Sequence, residues 1–294
     1  ILYLRCDETC KIIIYEKLER PSRYIDSQDE NVAGNYAFGF GVSSRAQRVL
    51  RKVPNLLESV KQISQKTKFS SQFVNRREFC AELLHELERE FANSGRLQIH
   101  FEESITDLDP SGRKVEVTDK CNAIRTVPYS LLIGADGANS LVRSKLVERG
   151  DIQCERFYCD QAWKALQLPK QSDLVPGTFL RYPKNLFRRP RHLRKDNGAI
   201  LPRFKDRFYF LNFRSIHCKN PNPFGVNTPA EFKEALRKIE PRITNFPSDE
   251  ILEEFLAQRP RLQSHMKLDK HAVEDHRIAL LGDAANGMYS MLGQ

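Results

Sequence analysis

The chain is 294 residues long, with 40% hydrophobic and 29% charged residues; at about 150 residues per domain it holds one large α/β domain or two ordinary ones, and it is neither globally disordered nor a small disulfide module. A formal net charge of +9 raises nucleic acid, membrane surfaces and anionic small molecules as partners. No run approaches the roughly 18 apolar residues of a spanning helix, and the opening ILYLRCDETCK has neither the apolar stretch nor the small-residue cleavage site of a signal peptide, so no targeting segment is visible.

The seven cysteines are odd in number, scattered and never spaced C-x-x-C. That usage fits free thiols in a reducing, intracellular compartment, and no second Cys pair or His pair completes a zinc site.

In chain order, Lys11–Lys17 (KIIIYEK) reads as a buried strand with Glu16 at its carboxyl end. Ligands of open α/β sheets bind beyond the carboxyl ends of strands, where an acid can accept both hydrogen bonds of a ribose diol. An ordinary strand-end acid is the alternative. Ile1–Arg5 reads as the last turn of an amphipathic helix, so the strand and Gly-x-Gly-x-x-Gly turn of a dinucleotide-binding unit are expected upstream of Ile1. Gly39-Phe40-Gly41 is no substitute, since it follows a polar loop and has no third glycine.

A helix is expected over Ser44–Val53, capped by Ser43 or Ser44. Arg45 in its first turn opposes the helix dipole, which points to another partner for that cation. The period of Arg76–Phe91 predicts a second helix, with Phe79, Leu83, Leu84, Leu87 and Phe91 on the core face and Glu82, Glu86, Glu88, Arg89 and Glu90 largely outside. Leu97–Phe101, Ser104–Leu108 and Lys114–Thr118 read as strands, with a turn at Asp109–Gly112.

From Phe157 to about Met266 the texture changes. Strand-like pieces (Ala199–Phe204, Arg207–Phe213), Pro-rich connections and two capped helices (Pro229–Lys238, Ser248–Leu256) read as an inserted domain. The same region carries a basic run with Arg181, Lys184, Arg188, Arg189, Arg191, Arg194 and Lys195 and no acid between them. It reads as a solvated loop, with a polyanion footprint as the lesser reading.

Two segments carry chemistry. Tyr129–Arg143 (YSLLIGADGANSLVR) is an apolar strand, then Gly134-Ala135-Asp136-Gly137, then a helix capped by Asn139 or Ser140. Arg277–Gln294 (RIALLGDAANGMYSMLGQ) repeats the plan with Gly282-Asp283 and the small pair Ala284-Ala285. Glycines let a backbone approach a ligand closely, and an Asp at a strand end reaches hydroxyls or a phosphate-bridging water.

With IIIYEK, the Arg45 helix and VNRREFCAELL, these two segments resemble, in order and over nearly the whole chain, the FAD-dependent aromatic hydroxylases of the p-hydroxybenzoate hydroxylase kind. WKALQLP at Trp163–Pro169 leans toward their kynurenine 3-monooxygenase branch. The resemblance implies an α/β protein: a Rossmann-like FAD-binding domain, incomplete at both ends, over residues 1–156 and 267–294, and an inserted mixed α+β substrate domain over 157–266. It implies FAD as cofactor, NAD(P)H as co-substrate, and oxygen transfer to an aromatic or similar small substrate through a flavin hydroperoxide. By position Asp136 and Gly137 would help hold FAD and NAD(P)H, Gly282, Asp283 and Ala284 would meet the ribitol and flavin, Glu16 would take the adenosine ribose, Arg45 and Arg76 the FAD phosphates or adjoining groups, and Gly293 would lie in a flavin-contacting turn. The family's His and Pro after the second segment are replaced by Asn286 and Ser290, read as retuned flavin packing. No Ser/His/Asp or Cys/His arrangement nominates a separate catalytic group. Neither specific nucleic-acid binding nor membrane association of this segment is expected. A flavoprotein-like or basic binding protein without turnover, or a related FAD epoxidase or reductase, remains the alternative.

Overall fold

A computed structural model describes residues 9–21, 39–66, 72–169, 179–182, 198–204, 207–215 and 222–287. Gly293, Ser290, Ile1–Arg5 and the basic run beyond Tyr182 lie outside them. The chain divides into two compact units, one of residues 1–20, 87–158 and 264–289, the other of 21–86, 159–263 and 290–294.

In the first unit the β-branched run Ile12–Glu16 pairs in parallel with Leu97–Phe101, Ile14 opposite Ile99 and Glu16 opposite Phe101. Ser104–Asp109, Lys114–Thr118 and Ile124–Pro128 form an antiparallel meander, whose first turn is closed by the Gly112 amide donating to Asp109 Oδ1 at 3.0 Å. A third sheet sets Leu132–Gly134 parallel to Ile278–Leu280, with Ala272–Val273 antiparallel on the far side of the latter. Leu132, Ile278 and Leu280 turn one face inward, where Val142 and Leu146 of the Leu141–Glu148 helix join Ala284 and Ala285. Each such valine, leucine or isoleucine side chain contributes about 1.5–3 kcal/mol by leaving water.

The second unit is built on a sheet in which Gly198–Phe204 is flanked by Phe179–Tyr182 and Arg207–Ser215, the last pairing with residues 161–168, all antiparallel. Helices Pro229–Ile239 and Asp249–Ala257 cover it, burying Phe232, Leu236, Leu252 and Phe255 against Leu166, Leu168 and Phe210. Phe232 meets Phe210 and Phe255 edge-on at 5.3 and 5.7 Å between ring centroids. The first helix begins with the expected cap, a reciprocal box in which Thr228 and Glu231 bond each other's backbone amides. A smaller sheet joins Gly39–Val42, Gln72–Asn75 and Gln65–Lys66, so Gly39-Phe40-Gly41 is strand and not a ligand-binding turn. Ser43 caps Ser44–Leu50 by accepting from the Ala46 amide at 3.3 Å.

The Arg76–Phe91 helix forms over the expected span and begins on a cap that the sequence reading missed, Asn75 Oδ1 accepting from the Arg77 and Glu78 amides. Its polar face departs from expectation: Glu82 and Glu86 are buried, 7% and 5% exposed. Both have polar partners, and a partnered carboxylate can be buried where a bare one cannot. No helix among the described residues is long and apolar enough to cross a membrane.

Candidate functional site

The two Gly–Asp segments, more than a hundred residues apart in sequence, are neighbours in the first unit. Gly134 is opposite Leu280 at the ends of adjacent parallel strands, and the Leu281 amide donates to Gly134 O at 2.9 Å. Both chains therefore turn out of the sheet at the same carboxyl edge, the place where open parallel sheets meet ligands. Gly134 is needed for close packing, since a Cβ there would come within 2.8 Å of Leu280 Cδ2 and 2.9 Å of Val142 Cβ. Gly282 has φ 60° and ψ −138°, a backbone conformation that L side chains rarely adopt, and a Cβ there would meet nothing within 4 Å.

Asp136 caps the helix that follows its turn. Its Oδ2 accepts from the Leu141 amide at 2.7 Å and the Val142 amide at 3.3 Å, while Ser140 Oγ accepts from the Arg143 amide at 3.0 Å. Ser140 is the cap residue of the expected pair. On the other segment, Asp283 opens the Asp283–Asn286 helical turn and is exposed, and the small residues behind it are buried, Ala284 at 1% and Ala285 at 8%.

Arg143 joins the two turns. It is 4% exposed, and its guanidinium donates to Ala138 O at 2.6 Å on one side and to Ala284 O at 2.9 Å on the other, with Asp283 O at 3.4 Å. All three acceptors are neutral, and burial lowers its proton affinity below the usual arginine value. No local feature of the sequence gives Arg143 a role. The available signal was a cation beside Val142 and three positions before Leu146, in the helix's apolar stripe.

No family model matches the chain. Curated relatives include the kynurenine 3-monooxygenase of Candida albicans, 24% identical over 92% of this chain and 61% of its own length, and that of Legionella pneumophila, 26% identical over 67% of this chain and 42% of its own. Among solved structures, 2-methyl-3-hydroxypyridine-5-carboxylic acid oxygenase matches with a TM-score of 0.61 at 16% identity, over 95% of this chain and 70% of that one. Aklavinone-11 hydroxylase, solved with FAD and aklavinone, matches with a TM-score of 0.60 at 13% identity, over 96% of this chain and 54% of that one. The fold is that of the FAD-dependent aromatic hydroxylases. Its sequence similarity is to kynurenine 3-monooxygenases, the branch toward which Trp163–Pro169 leaned.

Within this hydroxylase fold the remaining expected residues are spread out. Glu16 stands at the carboxyl end of its strand in the first unit and accepts from the Leu18 amide at 2.9 Å. Arg45 and Arg76 are exposed on the second unit, in the first turns of their helices. Arg76 lies near enough to Arg261 to be a cause, second to burial, of the latter's lowered pKa. Gly293 lies outside the described residues.

Proposed function

We propose that the protein is an FAD-dependent monooxygenase that hydroxylates an aromatic or similar small organic substrate, with NAD(P)H as reductant and O2 as oxidant. The observation that supports this best is the pair of Gly–Asp turns at one sheet edge, clamped by Arg143, within a fold shared with FAD-dependent hydroxylases. The residues present suit a dinucleotide flavin: an exposed carboxylate on Asp283 for polyol hydroxyls, open backbone at Gly137 and Gly282, and a strand-end acid at Glu16.

In this reading FAD supplies the redox and oxygen chemistry when bound. The protein's part is to hold and shield it. Asp283 would accept ribitol hydroxyls, Gly282 and Ala284 would let the turn approach the ring, Asp136 and Gly137 would shape the neighbouring loop, and Glu16 would take the adenosine ribose. Residues 157–266 form the substrate-binding domain. The chain spans 61% and 42% of the two relatives quoted, so the test belongs to the full-length protein: purified material should show a flavin absorption band and consume NAD(P)H in the presence of substrate. A colourless protein that takes up no added FAD would refute the reading.

A further inference from the structure

The solvent side of the Ser44–Leu50 helix carries cations that nothing nearby neutralises. Arg48 lies in its last turn, and helical bonding continues past the end, the Arg51 amide donating to Gln47 O and the Lys52 amide to Val49 O, each at 3.0 Å. Arg48, Arg51 and Lys52 stand three and four positions apart, so they share one side of this stretch. All three are exposed. None has an acidic partner among the described residues, and the sequence has no Asp or Glu between Glu30 and Glu58. The other side of the stretch is core, with Leu50 and Val53 at 7% and 6% exposed. Val49, next to Arg48 and three positions before Lys52, is 57% exposed. An aliphatic side chain therefore stands out among the cations.

The shape of this cluster selects its partner. A nucleic acid presents phosphates along a track and is held by cations spread along it, whereas these three fall within about 6 Å of helix axis. An acidic peptide needs a groove or a free strand edge to lie in, and the outer side of a surface helix offers neither. An anionic bilayer needs neither. Its headgroups gather around a compact basic cluster, and an exposed aliphatic side chain beside the cations enters the headgroup boundary. One valine is too little apolar surface for an anchor, so the contact is reversible and salt-sensitive.

We infer that Arg48, Arg51, Lys52 and Val49 form a docking surface for an anionic phospholipid bilayer, a contact independent of the proposed flavin chemistry and contrary to the expectation from the sequence. Flotation of the full-length protein tests it, with vesicles of phosphatidylcholine alone and of phosphatidylcholine with about 30% phosphatidylserine. The protein should float with the anionic vesicles only, and less as salt rises from about 50 to about 300 mM, because exposed charges are screened. A basic residue at an anionic surface is worth about fivefold in binding, so Arg48→Gln, Arg51→Gln and Lys52→Gln combined should weaken it by about a hundredfold at low salt. Val49→Ser should weaken it a few-fold. A control that replaces Lys114, Lys267 and Lys270, exposed on the other unit, with Gln should bind as wild type does. Unfolding midpoints measured alongside separate a lost surface from a lost fold. Equal binding by wild type and the triple variant, or no binding to the anionic vesicles, overturns the inference. Heparin binding that matches the vesicles in strength and ignores Val49→Ser also overturns it, in favour of a general polyanion footprint.

Discussion

Arg143 and Lys164 are buried cations whose described acceptors are all uncharged, and they behave differently because their pKa values start in different places. Arg143 stays protonated at any accessible pH, so its removal matters through orphaned carbonyls. Arg143→Met should destabilise the protein by about 2–4 kcal/mol in urea unfolding, since buried acceptors left without donors cost about 1–3 kcal/mol each. Lys164, 4% exposed, donates to Asn222 Oδ1 at 2.8 Å, Leu256 O at 2.7 Å and Phe255 O at 3.1 Å, capping the carbonyl end of the Asp249–Ala257 helix from a neighbouring strand. Burial pushes its pKa down to about 8 from 10.5. Between those values the unfolded chain holds more protons than the folded one, so this residue's contribution to stability rises with pH through that window. The unfolding free energy of wild type minus that of Lys164→Met should therefore grow between pH 8 and 10.5; a constant difference would contradict it. At Asp283 the expectation is functional: Asp283→Ala should lose flavin on gel filtration while keeping its unfolding midpoint, because the side chain is exposed and its lost bonds to ligand are worth about 1.5–3 kcal/mol. Equal flavin content would remove the assigned role.

Among the elements, Gly134 shows how the site depends on packing. Gly134→Ala drives a methyl into Leu280 and Val142, an overpacking that should cost about 1–3 kcal/mol and shift the Leu141–Glu148 helix away from the strand end, lowering flavin retention along with stability. What was legible in the sequence was local. The strands Ile12–Glu16 and Leu97–Phe101 and the Arg76–Phe91 and Pro229–Ile239 helices announced themselves by period and cap, and the Gly–Asp turns by composition. The 15-residue strand Cys154–Leu168 did not. Its buried face carries Lys164 in line with Leu166 and Leu168, and a lysine in that row breaks the alternation that marks a half-buried strand. Arg143 was hidden for the same kind of reason. Its acceptors on the second turn lie 140 and 141 residues away, and no local pattern encodes that meeting.

At the scale of the whole molecule, the charge of +9 and the proposed chemistry make different demands. A dinucleotide needs a few oriented cations, whereas a polyanion needs many cations along one surface. The basic run from Arg181 to Lys195 is the densest source of the second kind, and beyond Tyr182 it lies outside the described residues. Arg181 departs from the loop expectation, being in the Phe179–Tyr182 strand opposite Ile200; the proline-broken, acid-free composition of the rest is that of a solvated loop, where each charge is worth about 0–1 kcal/mol to stability. Replacing Arg188, Arg189, Arg191 and Arg194 together with Ser should therefore leave the unfolding midpoint and flavin content unchanged. Binding of the unmodified protein to duplex DNA should be weak at about 150 mM salt and fall steeply as salt rises, since each neutralised phosphate releases about 0.7–0.9 counterion. Fluorescence anisotropy against a labelled duplex measures this directly. Tight binding at that ionic strength, abolished by the four Ser substitutions, would turn the basic run into a nucleic-acid footprint and favour a binding protein over an enzyme.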